Sequence, residues 1–375
     1  MNVPKLRFKE FNDEWNDKCL NDIASITMGQ SPNSKNYTSN KNDTILIQGN
    51  ADLNEGHVVP RLFTTQVTKT CNINDILMTV RAPVGDIAIS EYNACIGRGV
   101  CSISGDKYIY HYLDYLKTKD YWKKISKGST IDSITSNDIK KLRIKFPNND
   151  ESKKIVKTMD LLNKKIELQI KKLEDLKLFK KGLNKNIFSN FNAKYKIDEL
   201  IKEYNQKTSK NNQFEVLSST ANGIILQNEF FNKQAASLDN TGYKIVPFGF
   251  ITYRSMSDTG EFHFNIQNIT ENGIVSPAYP VFEINEDIVD KTYFIYYINE
   301  NKSFKNKILS LKEGGTRYAL SMSKFKEINL DLPPLEYQKK YSKLLNTYNR
   351  KIKNEENKLN KLQELKKGLM QNMFV

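Results

Sequence analysis

One interval organises this sequence. Lys180-Lys181-Gly182-Leu183 returns 186 residues later as Lys366-Lys367-Gly368-Leu369, and the register holds without a gap in both directions. Downstream it matches Asn186-x-Phe188 to Asn372-x-Phe374. Upstream it matches Leu173 to Leu359, Ile166 to Ile352, Lys153-Lys154 to Lys339-Lys340, Pro147 to Pro333, Thr130 to Thr316 and Gly128 to Gly314. Shared Lys and Leu mean little in a lysine-rich chain, so the matched Gly, Pro, Thr and Phe carry the argument. Twice the interval covers nearly all of the 375 residues. The chain is therefore two tandem copies of one design, a constraint that precedes any local pattern.

Each copy ends in a helix. From Asp150 to Phe188 there is no proline and a single glycine, and Asn148-Asn149-Asp150-Glu151 supplies a cap and an acidic first turn. Apolar residues recur at Ile155, Met159, Leu162, Ile166, Leu173, Leu176, Leu183 and Ile187, with Gln169 and Lys180 filling two gaps. Steps of four and three make this a heptad seam. The second copy places Tyr341, Leu345, Tyr348, Ile352, Leu359, Leu362, Leu369 and Met373 on the same seam, with Glu355 and Lys366 in the gaps. Two helices of ~39 residues, each roughly 58 Å long, are predicted. An amphipathic helix packed on its own domain also gives such a stripe, but a period of 3.5 kept over this length favours helix-on-helix pairing. Two such helices in one chain, separated by a globular segment, suit antiparallel packing. Gly182 and Gly368 either mark a close approach of helices or end the regular helix; within a helix each costs about 1 kcal/mol.

Ahead of each helix lies a mixed segment. Asp75-Ile76-Leu77-Met78-Thr79-Val80 and Asp86-Ile87-Ala88-Ile89 flank a turn, which predicts a hairpin. The second copy has Phe248 to Arg254, then Glu261-Phe262-His263-Phe264. Helical stretches follow at Tyr108 to Lys127 and Tyr293 to Lys312. Next come Gly128-Ser129-Thr130 and Gly314-Gly315-Thr316, each leading to a short strand that ends at a proline. The fold class is α+β: two tandem α/β globules, each followed by a long helix, the helices pairing as an antiparallel coiled coil with approximate two-fold symmetry. The boundaries are 1–146, 147–188, 189–332 and 333–375.

Composition narrows the function. Lys+Arg number 57 against 43 Asp+Glu, a net charge of +14, which excludes an acidic disordered activator and makes polyanions the expected partners. No window approaches ~18 uncharged apolar residues, so no membrane span is expected. The start of the chain has no signal-peptide core. Cys19, Cys71, Cys95 and Cys101 lack CxxC spacing and read as reduced thiols of a cytoplasmic protein. His57, His111 and His263 are isolated, so no metal site is expected. No GxxxxGK[ST], GxSxG, HExxH or GxGxxG occurs, and Asp331-Leu332-Pro333-Pro334-Leu335 departs from a methyltransferase DPPY-type loop at its second and last positions. No catalytic residue is assigned.

Arginine is scarce, and its placement is informative. Arg81, Arg98, Arg254 and Arg317 stand beside turns or glycines, where a guanidinium either reaches guanine edges and phosphates or pairs with a local carboxylate. Gln30 and Ser31, in the loop Gly29-Gln30-Ser31-Pro32-Asn33, either read adenine or cap a turn. Tyr253, next to Arg254, completes the candidate DNA-binding set.

The organisation resembles the specificity (S) subunit of type I restriction-modification systems along essentially the whole chain. The opening Pro4-Lys5-Leu6-Arg7-Phe8-Lys9-Glu10-Phe11 with Trp15 and Leu20-Asn21-Asp22-Ile23 is similar to the family's N-terminus, and Gly29-x-Ser31-Pro32 to its first loop. The segments Gly128 through Pro147 and Gly314 through Pro334, and the Lys-Lys-Gly-Leu endings, resemble the entries and ends of its two helices. The sequence departs where the family often has Glu-Gln after the proline: here stand Glu151-Ser152 and Glu336-Tyr337-Gln338. The resemblance implies that each globule is a target-recognition domain for one part of a bipartite double-stranded DNA target. It also implies that the paired helices dock two methyltransferase (M) subunits and that restriction (R) subunits join the assembly. No cofactor is then expected on this chain, with S-adenosylmethionine, ATP and Mg²⁺ on the partners, no activity from the chain alone, and a cytoplasmic location. The competing reading is a coiled-coil adaptor with no sequence-specific DNA binding.

Overall fold

The computed structural model describes residues 3–126, 133–188, 191, 193–227, 239–310 and 318–375. The segments Gly128-Ser129-Thr130 and Gly314-Gly315-Thr316, and the candidate Arg317, lie outside the described residues. Two compact units divide the chain: Met1–Lys171 with Glu356–Val375, and Lys172–Glu355. Each unit holds one globule, the beginning of one long helix and the end of the other.

The two globules share a topology. In the first unit, antiparallel strands run in the order Ile87–Ile89, Ile76–Thr79, Val100–Gly105, Ala24–Met28. In the second, the same order is filled by Phe264–Ile266, Ile251–Tyr253, Val281–Ile284 and Ile201–Glu203. A second sheet in each contains one parallel pair, with Cys95 opposite Leu46 in the first unit and Val216 opposite Ile274 in the second. Ile76 to Thr79 are buried on both faces, which is why that strand reads as a continuous apolar run rather than an alternation. The predicted hairpin is present, with Ile87 opposite Met78 and Gly85 at φ +85° in the turn.

Each helical stretch predicted ahead of the proline breaks in two. Lys107–Thr118 is followed by Tyr121–Ser126, and Lys291–Glu300 by Lys302–Ser310. Asp120 adopts φ +53° at the first break, a left-handed geometry that Asp tolerates better than most residues. Asp106 and Asp290 cap the two helices, accepting from Tyr108 N (2.7 Å) and Tyr293 N (2.8 Å).

The long helices are Asn149–Ile187 and Leu335–Met373, 39 residues each, and both ends sit at the interval read from the sequence. In the first unit, Ile155 and Met159 at the start of the central helix share a core with Met370, Met373 and Phe374 at the end of the distal helix. In the second, Ile187 at the end of the central helix shares a core with Leu345 at the start of the distal one. The helices therefore run antiparallel within each unit. Ile155, Met159, Leu162, Leu173 and Leu345 are buried; Ile166, Leu176, Leu183, Tyr341, Tyr348, Ile352, Leu359, Leu362 and Leu369 are half-buried.

The polar gaps in the seam have partners. Lys180 Nζ lies 2.7 Å from Glu300 in the second unit, and Lys366 Nζ lies 2.8 Å from Asp114 in the first. Both partners are offset by the same interval, so one contact is made twice. Glu355, buried in the seam, meets Lys172 at 3.1 Å.

Gly182 and Gly368 lie inside continuous helix, and a Cβ at either would meet no atom within 4 Å. Neither alternative raised by the sequence holds: these glycines mark no close approach and end no helix. Replacing both with alanine should stabilise the chain by about 1 kcal/mol per site, read as a higher midpoint in urea unfolding. A lower midpoint would show that these backbone positions serve another contact.

Candidate nucleic-acid interface

Three glycines build one edge of the first globule. Strand Ala24–Met28 ends at Gly29, whose N donates to Val100 O at 2.9 Å while Gln30 N donates to Ile96 O at 2.9 Å. A Cβ on Gly29 would stand 2.1 Å from Gly97 O, and one on Gly99 would stand 2.2 Å from Gln48 O. Backbone thus packs directly on backbone, a contact that only glycine permits at these positions. The turn Gly97-Arg98-Gly99 is held against the loop by Ser31 Oγ, which accepts from Arg98 N at 3.1 Å. Val80 N donates to Gly99 O at 2.9 Å, which sets Arg81 beside the same turn.

The structure accordingly gathers four of the sequence-chosen residues, Gln30, Ser31, Arg81 and Arg98, on one edge. Ser31 is half-buried, while Gln30, Arg81 and Arg98 are exposed. Neither arginine has an ion-pair partner among the described residues, so the local-carboxylate reading finds no support there. Asp52, the buried acid of this region, is engaged by Gln48 N at 2.8 Å and by Gly49 N at 3.2 Å. An exposed guanidinium on a rigid turn can offer a fork of donors to guanine O6 and N7 or to a phosphate.

The second globule keeps one of its candidates at the surface and buries another. Arg254 is exposed and has no ion-pair partner among the described residues. It lies close enough to Tyr279 for its charge to act on that hydroxyl, whose pKa is raised by burial and partly lowered again by Arg254. Tyr253 is a correction. Its side chain is fully buried, its hydroxyl donates to Leu320 O at 3.1 Å, and its ring packs 4.4 Å from that of Phe264. Strand alternation turns it inward while Arg254 turns out, so Tyr253 supports the fold and cannot meet DNA.

Two residues here were missed in the sequence. Gln48 Nε2 is buried with no hydrogen-bond partner among the described residues, on the strand end that Gly97 and Gly99 abut. No local pattern marks it. Tyr279 stands in the turn that replaces Gly97–Gly99 in the second copy; the flanking Pro277 and Pro280 signal a turn but not its equivalence.

Among the described residues no group of three His, Cys, Asp or Glu could hold a metal ion, and no helix is long and apolar enough to cross a membrane. Asp160 illustrates the charged pairs present: burial works against its charge, but hydrogen bonds from His111 (3.0 Å) and Lys107 (2.8 Å) outweigh it and lower its pKa.

The chain is similar to known proteins in sequence and in fold. A putative type I restriction enzyme MjaX specificity subunit of Methanocaldococcus jannaschii is 33% identical over 164 residues, 42% of this chain and 38% of the relative. The MjaIX specificity subunit of the same organism is 29% identical over 211 residues, 52% and 48% of the two chains. This chain thus spans less than half the length of these curated relatives. A crystal structure of a type I restriction-modification S subunit from M. genitalium superposes with a TM-score of 0.64 at 17% identity, covering 100% of this chain and 99% of that one. A chain from a structure addressing complex assembly and conformational transition of the type I system gives 0.55 at 15% identity, covering 95% and 96%. The family model for the type I restriction modification DNA specificity domain matches residues 12–178 and again 185–364. With both copies of the repeat matched, the chain belongs to the type I restriction-modification DNA specificity family, whose members are specificity components and not catalytic subunits.

Proposed function

We propose that this chain selects a bipartite double-stranded DNA target, each globule reading one part, and that its paired helices dock two methyltransferase subunits. The observation that carries the reading is the doubling: one topology twice, on helices in register, with recognition edges that differ. Gly97-Arg98-Gly99 in one copy is replaced by Ser276 to Pro280 in the other. Unlike edges on matched supports are what two unlike half-sites require. S-adenosylmethionine, ATP and Mg²⁺ belong to the methyltransferase and restriction partners in this reading, and the assembly works in the cytoplasm.

Selection of duplexes from a random library by the full chain, with and without methyltransferase subunits, tests it. Enrichment of two short fixed elements separated by an unspecified spacer is expected. Enrichment of nothing, with methyltransferase present, would favour the adaptor reading.

A further inference from the structure

A lysine stands at the same ladder position beside each of the two reading turns. In the first globule, strand Ala94–Ile96 runs into Gly97-Arg98-Gly99, and its antiparallel neighbour begins at Thr70, opposite Cys95. One step further sets Lys69 opposite Ile96, whose N donates to Lys69 O at 2.8 Å. In the second globule, Asn272–Val275 runs into Ser276 to Pro280, and its antiparallel neighbour Lys244–Pro247 sets Lys244 opposite Val275. On its other side each of these central strands has the parallel neighbour described above. Lys69 and Lys244 are therefore equivalent, each facing the last strand residue before the turn. Their spacing departs from the repeat interval, so the equivalence exists only in the folded chain.

The first lysine is tied to the reading residues. Ile96 O accepts from Gln30 N at 2.9 Å, so Gln30 and Lys69 flank one residue, and Thr68 Oγ1 donates to Gln30 O. The second is held at a cost. Lys244 is half-buried, and Lys207 stands directly opposite it across an isolated antiparallel bridge. Like charges so placed are destabilising. Burial lowers the Lys244 pKa, Glu203 opposes the shift and Lys207 adds to it. Neither Lys69 nor Lys244 has an ion-pair partner among the described residues. Lysine on an outer strand also wards off pairing with another chain. That duty does not account for Lys244, where the backbone is already paired: Ile245 N donates to Gln206 O and Thr208 N to Tyr243 O, both at 2.8 Å. A cation that two divergent globules keep beside their turns, uncompensated in both, suits the one feature that unlike half-sites share. That feature is the phosphate backbone.

We infer that Lys69 and Lys244 contact DNA phosphates and so hold the duplex backbone beside each reading turn. The inference rests on the DNA-reading function proposed above. The test uses the full chain with Lys69→Gln and Lys244→Gln, singly and together, beside the double Lys→Arg variant. Each protein binds a random-sequence duplex over a series of salt concentrations, and each is passed through the library selection. The slope of log affinity against log salt should fall in magnitude by ~0.9 for each glutamine, and so by roughly 2 in the double variant. The arginine variant should keep the parent's slope, and every variant should select the parent's sequence. An unchanged slope in the double glutamine variant would overturn the inference while leaving the reading of bases by the globules intact. A new base preference in one half would make that lysine a base reader and overturn it likewise. A parent chain with no sequence preference would instead overturn the function on which it rests.

Discussion

Glu151→Ala should lower the stability of the chain by about 3–5 kcal/mol, the cost of leaving a buried charge without its partner. The carboxylate is fully buried in the first turn of the central helix. Arg7 donates to it through Nε at 2.7 Å and Nη2 at 2.8 Å, and Trp15 Nε1 donates at 3.0 Å. The contact raises the Arg7 pKa further, the hydrogen bond to Glu151 outweighing the effect of burial. Alanine strands a guanidinium whose side chain is only 14% exposed, together with a buried indole N–H. The segment that would come loose also donates Leu6 N to Asn372 O at 2.8 Å, so the end of the distal helix should lose protection too. Urea unfolding and hydrogen exchange of the amides of residues 3–15 and 369–375 read both effects. A double variant, Arg7→Met with Glu151→Leu, should recover much of the loss, since an apolar pair leaves no unmet charge. An unchanged midpoint for the alanine variant would show that the clamp contributes nothing.

The same locus explains where the repeat fails. One interval from Glu151 stands Tyr337, which is 51% exposed, and the buried polar role passes to Gln338. Gln338 Oε1 accepts from Asp290 N at 2.9 Å, and its Nε2 donates to Pro333 O at 2.8 Å. The first copy thus fills this buried polar position with Glu151 and the second with Gln338.

Arg98→Ala is expected to relax sequence selection at one half of the target by ten- to a hundredfold, the ~1–3 kcal/mol that a bidentate base contact contributes. Its backbone is fixed beside Gly99, where a Cβ would stand 2.2 Å from Gln48 O, and by the hydrogen bond from Arg98 N to Ser31 Oγ, so the loss should come from the missing guanidinium and not from a shifted loop. Arg254→Ala should act on the other half. Library selection with each variant reads this directly. A uniform loss across all sequences would make Arg98 a phosphate contact, and a change in both halves at once would break the one-globule, one-half assignment.

The long helices were legible because a seam of apolar residues at heptad spacing has few other solutions, and a matched second copy removes the rest. Their antiparallel direction followed from the globular segment between them. The strands were placed but drawn too long, since Asp75 and Val80 flank a run whose ladder pairing stops at Ile76 and Thr79. Breaks at Asp120 and Asn301 were not visible, because helical periodicity continues across them. At the site, Arg81, Arg98 and Gln30 were identifiable from their glycine and turn neighbours. Tyr253 was misread because an aromatic at a strand end looks the same facing in or out until its neighbours are known. Gln48 was missed for a different reason: its meaning arises from packing against Gly97 and Gly99, some fifty residues away.

The most direct measurement is a genome-wide map of methylated positions in cells with and without this chain, its methyltransferase partners present in both. The account predicts methylation that depends on the chain and falls at a single motif of two unlike elements separated by a fixed unspecified gap. Methylation that persists without the chain, or that follows one uninterrupted motif, would contradict it.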